Sequence, residues 1–294
     1  MPTVVLPARA LVSVSGPDAE HLLQSILTTD LAALPEGVAR PGALLTPQGK
    51  ILFDFLVSRD GADGFLLECR GEIADDFMRR LMLYKLRAKL TISKRNESLV
   101  AVSWTDETST SQPDSTPCET DSTGRRDARF PESLRVVRRP LAQGEADTDL
   151  SAWTALRIAH GVAESGSDYA LADAFPHDVL LDQNGGVGLR KGCYVGQEVV
   201  SRMHHRGTAR RRVLIAEADA DLAEAGTPVL AQGRPAGALG SVLGAKGLAV
   251  VRIDKVKAAM DAGEPVTAGG VALRLSIPPG MGFAFPDGSA GEDA

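Results

Sequence analysis

The sequence predicts an α+β fold followed by a small β-barrel. Three observations carry this reading. Between residues 44 and 104, apolar runs of period two flank one stretch of helical period. From Arg210 onward, short strand-like runs recur between Gly and Pro turns over about 80 residues. The chain of 294 residues is 44% hydrophobic and 24% charged, enough for a sizeable core and two or three domains.

Val4 to Val14 is apolar and β-branched and reads as a strand. Ser15-Gly16-Pro17-Asp18 then offers a cap, a Pro for the first turn and an acid for the dipole. The following AEHLLQSIL places Leu22, Leu23, Ile26 and Leu27 on one helical face. ILFDFLVS (51–58) and FLLECR (65–70) flank an Asp- and Gly-rich turn, the mark of a hairpin. Ile73, Phe77, Leu81 and Tyr84 fall on one face of a helix, and 90–93 and 99–104 read as two more strands. A β-β-α-β-β run of this kind predicts an antiparallel sheet with a helix on one face.

Residues 105–132 are rich in Ser, Thr, Asp and Pro and are expected to form a mobile loop containing Cys118. Residues 134–141 read as a strand. Asp149 and Ser151 offer caps for a helix closed by Gly161. Residues 162–206 show little periodicity. The tail after Pro286 is expected to be disordered.

Lys+Arg total 32 against Asp+Glu 38, a net charge of −6, which disfavours a globally basic nucleic-acid binder. Three widely spaced cysteines without a CxxC pair exclude a disulfide scaffold and argue against a metal site supplied by this chain. The N-terminus is too polar for a signal peptide, and no run reaches the roughly 18 apolar residues of a membrane span. The expectation is a soluble, cytoplasmic, multidomain protein with no membrane partner.

The chemistry concentrates in Lys191-Gly192-Cys193-Tyr194-Val195-Gly196-Gln197-Glu198. Two glycines bracket a Cys-Tyr pair, which lets a thiol sit on a tight turn facing a ligand. Arg190 and Lys191 would favour the thiolate, as would a helix opening at Gln197. The alternative is a small cysteine buried in a turn. Seven of the 32 basic residues fall between 190 and 212, against one acid, Glu198. This local patch can hold carboxylates or phosphates, or can be a solvated turn. Adjacent His204 and His205 cannot readily face one ion with Cys193. Asp168 and Asp178 lie in the irregular segment. Each could accept the N–H groups of a pterin-like edge or simply cap a turn. Gly185-Gly186-Val187-Gly188 lacks phosphate-loop spacing and reads as a turn.

KGCYVGQE, followed by RMHHRG, resembles the signature of the YgfZ family of folate-binding proteins implicated in maturation of iron–sulfur enzymes. Residues 16–31, 42–57, 156–168 and 175–182 and the terminal barrel resemble that family in order. The wider superfamily includes the aminomethyltransferase T-protein of the glycine cleavage system. The resemblance implies two interwoven α+β subdomains around a central folate channel, plus the C-terminal barrel. It places a folate-binding region at 1–206, with subdomains about 1–45 with 150–206, and 46–149. The barrel would span 207–286 and the tail 287–294.

T-proteins carry two adjacent acids in the block that reads Phe53-Asp54 here, so the first acid is missing. Ser165 stands where a Tyr is expected. These departures favour the YgfZ branch over glycine-cleavage activity. The resemblance implies Cys193 as the functional thiol, with Lys191 and Tyr194 beside it. It further implies tetrahydrofolate contacts from Asp54, Asp168, Asp178, Gln197, Glu198, Arg202 and Arg206. One thiolate cannot supply the four ligands typical of a cluster, so no stably bound metal is expected. Partners would be iron–sulfur client enzymes or cluster carriers. The alternatives are a folate-dependent one-carbon transferase and, disfavoured by charge and scarce aromatics, an RNA-binding module.

Overall fold

The computed structural model describes residues 1–105, 124–207 and 209–286. The chain divides into two compact units. One comprises Met1–Pro47, Leu52–Leu150 and Asn184–Gln197; the other comprises Gln48–Ile51, Ser151–Gln183 and Glu198–Ala294. These bounds differ from the division at residues 206 and 207, because 151–183 clusters with the barrel.

The first unit opens with β1 (Thr3–Leu6) and β2 (Arg9–Ser15). The single strand expected over Val4 to Val14 is broken at Pro7 and at Ala8, whose φ is +50°. Proline removes a ladder donor there, and the Ala8 carbonyl turns to accept Gly71 N–H at 2.6 Å. Helix α1 (Ala19–Ile26) buries Ala19, Leu23 and Ile26. Asp18 precedes it as expected, but its carboxylate accepts Lys89 N–H at 2.6 Å rather than capping the helix.

An unanticipated strand, β3 (Val38–Leu45), precedes the expected hairpin of β4 (Ile51–Arg59) and β5 (Gly64–Arg70). Helix α2 (Ala74–Lys85) buries Ala74, Phe77 and Leu81, the predicted face. Its Phe77 ring lies 5.2 Å from Phe53 and 5.3 Å from Phe55. Then come β6 (Thr91–Lys94), β7 (Leu99–Ser103), β8 (Arg125–Asp127) and β9 (Val137–Leu141).

The nine strands run in the order β1-β7-β9-β8-β3-β4-β5-β2-β6. The predicted pair at 90–93 and 99–104 therefore does not form a hairpin. β6 pairs with β2, and β7 with β1 and β9. Part of the loop expected over 105–132 is regular structure instead. Residues 125–127 form β8, parallel to β3 and antiparallel to β9, and Phe130 is buried. Residues 106–123, with Cys118, and the tail 287–294 lie outside the described residues.

The sheet curls back on itself. β2 and β7, well separated in strand order, meet where Arg9 N–H donates to the Ser98 carbonyl at 3.0 Å. A buried ion cluster lies across the curl. Glu68 of β5 accepts Arg9 Nε and Arg138 Nε, each at 2.9 Å, and a second bond from Arg138 Nη2. Arg138 Nη1 also reaches Asp127 at 3.4 Å, and Asp127 accepts Arg129 Nη2 at 2.7 Å. Burial alone would raise the Glu68 carboxyl, but Arg138 and Arg9 hold it at about 2.

The second unit begins with α3 (Ser151–Ala159), closed as predicted near Gly161 at φ +66°. Helix α4 (Gln197–Arg206) follows a long irregular segment, and only its first residue belongs to the first unit. β10 (Arg211–Glu217), β11 (Pro228–Ala231), β12 (Arg234–Leu243) and β13 (Lys246–Arg252) come next. After α5 (Ile253–Asp261), β14 (Val266–Ala268) and β15 (Val271–Ser276) complete a closed barrel in the order β10-β13-β12-β11-β14-β15. The predicted α+β class with a C-terminal small barrel is what the chain forms. α5 was not anticipated, although Ile253, Val256 and Ala259 carry its buried helical spacing.

Replacing Glu68 with Gln leaves Arg138 buried without its main counter-ion. We expect a loss of about 3–5 kcal/mol in urea unfolding at neutral pH. The wild-type carboxylate has its folded value depressed, so its contribution is full above about 4.5 and falls away as pH drops toward about 2. The gap between the two proteins should narrow over that window.

Candidate functional site

In the first unit, the segment after Gly188 carries the thiol. Cys193 is exposed, whereas Lys191 and Tyr194 on either side are buried. Lys191 Nζ donates to the Leu27 carbonyl at 2.6 Å and the Thr29 carbonyl at 3.0 Å, at the end of α1. It also lies 5.1 Å from the centre of the Tyr194 ring. A cation is favourable at a helix C-terminus, and here it anchors the loop. Burial lowers the Lys191 ammonium to about 8 and raises the Tyr194 phenol to about 12.

Lys191, expected beside the thiol, thus has its charge directed at the Leu27 and Thr29 carbonyls just beyond α1. It holds the turn on which Cys193 is displayed. Of the bracketing glycines, Gly196 sits at φ +79°, while a β-carbon at Gly192 would meet nothing within 4 Å. Only Gly196 is required by backbone conformation. Gly192 and Cys193 line an open groove of about 440 Å³ with Glu20, His21, Gln24 and Ser25 of α1. Cys69 is different: it is buried in β5, and burial pushes its thiol up to about 12.

Asp54 sits half-buried on β4, between Phe53 and Phe55, which pack toward Phe77. The position where the T-protein pattern has a further acid is therefore a core aromatic.

The other expected carboxylates lie in the second unit, and they differ sharply. Asp168 Oδ2 accepts Arg157 Nη1 at 2.8 Å, Glu164 N–H at 2.7 Å and the Ser167 hydroxyl at 3.1 Å. Its Oδ1 accepts Ser241 N–H at 2.6 Å. Four donors leave this buried carboxylate little capacity for a ligand. Asp168 ties α3, its following turn and β12 together, and the turn reading of this residue fits better than the pterin reading.

Asp178 accepts one hydrogen bond, from Phe175 N–H to Oδ2 at 3.0 Å, and its Oδ1 accepts none from a described residue. Burial raises this carboxyl to about 6, against the backbone bond and the charges of Arg211 and Arg212. Next to it, His177 is buried with neither ring nitrogen partnered among the described residues. Burial lowers its imidazole to about 4, and the nearby Asp182 carboxylate opposes that shift. The His204 ring lies 6.4 Å away, and Arg212 bridges the His177 carbonyl and Asp182 at 2.8 and 2.7 Å.

Sequence reasoning missed His177, Arg157, Asp182 and Arg212 as members of buried polar groups. Phe175-Pro176-His177-Asp178 was the only local signal. The segment also holds Ala172 at φ +62° and Leu180 at φ +64°, positions that disfavour a β-carbon.

Glu198, Arg202 and Arg206 are exposed on α4, with Arg202 Nη2 at 3.7 Å from Glu198 Oε1, and Gln197 is half-buried at the helix start. They form a solvated polar face. Among the described residues, no group of three or more His, Cys, Asp or Glu side chains is arranged to hold a metal ion.

Residues 210–283 match the family described as CAF17, C-terminal beta-barrel domain. The mitochondrial iron-sulfur cluster assembly factor IBA57 of Mus musculus is 31% identical over 285 residues, covering 86% of this chain and 78% of that protein. The IBA57 homolog of Chaetomium globosum is 34% identical over 240 residues, covering 71% of this chain and 54% of that protein. The chain spans about half the length of the first fungal relatives it matches. The glycine cleavage system aminomethyltransferase T from Bartonella henselae shares the fold, with a TM-score of 0.67 and 16% identity over 95% of this chain and 86% of that one. The expectation of a cytoplasmic protein is corrected by these relatives, whose names place them in the mitochondrion. Residue composition reports solubility, not address, which receptors read from separate signals.

Two outcomes follow. In a Cys118→Ser background, Ellman's reagent should titrate one thiol in the native protein, Cys193, and Cys69 only after unfolding. Asp168→Asn should lower stability by about 3 kcal/mol in chemical denaturation, since Arg157 loses its buried partner.

Proposed function

The chain belongs to the IBA57 family of iron–sulfur cluster assembly factors, and from that membership we propose that it serves cluster assembly or repair through the thiol of Cys193. The observation that carries this reading is the contrast between its described cysteines. Cys69 is sealed in the core, whereas Cys193 is displayed at a groove by two buried anchors, Lys191 and Tyr194. A thiolate there can make a transient bond to a cluster iron, with the remaining ligands supplied by a partner. The partner would be a cluster carrier or a client enzyme. The KGCYVGQE motif favours the YgfZ-like branch of this function.

We further propose tetrahydrofolate as a ligand, recognised in part by Asp178. The donor set fits: a buried carboxyl with an unused oxygen suits the N–H edge of a pterin. Asp168 does not enter this proposal, because its oxygens are already bonded. Bound folate would supply recognition or one-carbon chemistry. The aminomethyltransferase alternative is weaker, since Phe53 stands in the core where a second acid is expected.

Cys193→Ala should fail to restore iron–sulfur enzyme activity in a deletion strain while accumulating to wild-type levels. Full restoration removes the thiol role. In calorimetric titration with tetrahydrofolate, Asp178→Asn should weaken binding at least about tenfold, near 1.4 kcal/mol. Cys193→Ala should bind as wild type. Wild-type affinity should rise as the pH increases through about 6, where Asp178 ionises to the accepting form.

A further inference from the structure

Among the described residues, seven large apolar side chains are exposed, and three of them lie within five positions at the end of α2. Met82, Leu83 and Leu86 are 51%, 67% and 87% exposed. Leu86 follows the helix at φ +42° and ψ −110°, a conformation that a residue bearing a β-carbon adopts at a cost. Strain at an exposed leucine is not explained by core packing and marks a position held for another purpose.

The charge of the local sequence is one-sided. Between Phe77 and Asn96 the chain carries seven Lys and Arg and no Asp or Glu, although its net charge is −6. Arg79, Lys94 and Arg95 pair with acids outside that stretch. Arg80, Arg87 and Lys89 are exposed and make no ion pair with a described residue. The result is an apolar centre with a cationic rim, the anatomy of a protein-recognition patch.

We propose that the end of α2 and the turn after it form the docking surface for an acidic cluster-carrying protein. The partner would present an apolar hollow, rimmed by Asp and Glu, that receives Leu83 and Leu86. This rests on the assembly reading above and names the surface by which such a partner arrives. Charge complementarity selects the partner: a cationic rim speeds encounter with an acidic protein, and the leucines hold the complex. A lipid surface fits less well, because the main apolar face of α2, Ala74, Phe77 and Leu81, is already buried in the fold. RNA fits less well too, since Tyr84 within the patch is half-buried and Phe77 on the same helix is buried, so neither offers a stacking platform.

The test is surface plasmon resonance with a purified, [2Fe–2S]-loaded acidic carrier protein over the full-length chain. Arg80→Glu combined with Arg87→Glu should lower the association rate at least about tenfold and flatten its dependence on salt. Leu86→Gly should raise the dissociation rate several-fold while leaving the thermal midpoint equal or higher, because glycine accepts a positive φ. That pairing separates lost docking from lost folding. With the apo carrier, which offers Cys193 no cluster iron, the patch variants should still lose binding and Cys193→Ala should not, so docking reads apart from the thiol role. Carrier binding that is absent in wild type, or unchanged in the patch variants, overturns the proposal. Patch-dependent binding to phosphatidylglycerol vesicles or to poly(U), with none to the carrier, overturns it in favour of lipid or RNA.

Discussion

The first unit is organised by the contact between Glu68 and Arg138. Strand order alone places β5 and β9 four positions apart, yet their side chains share two hydrogen bonds. The sheet must curl for that to happen, and Arg9 and Asp127 complete the cluster from β2 and β8. Three guanidiniums, Arg9, Arg129 and Arg138, face two carboxylates. A buried carboxylate in apolar surroundings would take up a proton; this one is held ionised by its partners. The same arrangement lets a polar segment enter the interior. Of the charged residues between 125 and 138, Asp127 and Arg138 are buried, and they are inside because each meets opposite charge there.

A second cation does comparable work at the thiol. Lys191 donates to the Leu27 and Thr29 carbonyls, in the chain that leaves α1. In doing so it fixes the backbone on one side of Cys193, and buried Tyr194 fixes the other. Exposure of the thiol is therefore a consequence of burial on both sides. A flexible loop would display a cysteine only on average; this turn displays it in one place. For a group that must meet a reacting partner, that order lowers the entropic cost of encounter.

Much of the architecture was legible in the sequence. The 51–58 and 65–70 hairpin, the Phe77 and Leu81 face of α2, and the strands from Arg211 each announce themselves by period and turn residues. What failed was partner choice. β6 and β7 look like a hairpin locally, but pairing with β2 and β1 is decided by long-range packing that no local pattern records. β8 was read as loop because composition reports charge, not whether charge is paired. The roles of Lys191 and Asp168 were hidden for the same reason: a lysine two residues from a cysteine looks like an activator until its ammonium is found on carbonyls just beyond α1. The motif located the turn, and only the structure assigns which of its side chains faces outward.

Asp168 and Asp178 show what separates a structural carboxylate from one able to take a ligand. Both are buried, both lie in the same irregular segment, and both could cap a turn. Asp168 is met by a guanidinium, a hydroxyl and two backbone N–H groups, so its charge is satisfied and its orientation fixed. Asp178 has one backbone donor and no close ion pair, the nearest guanidinium nitrogen lying at 3.8 Å. Burial raises its carboxyl, and the one backbone bond and the charges of Arg211 and Arg212 offset that only in part. A protein gains nothing in stability by burying an under-bonded acid, and the neighbouring His177, with two unpartnered nitrogens, repeats the deficit. Two adjacent buried residues short of hydrogen bonds, beside the unpartnered Nε of Arg212, are the feature on which the proposal of an outside ligand rests.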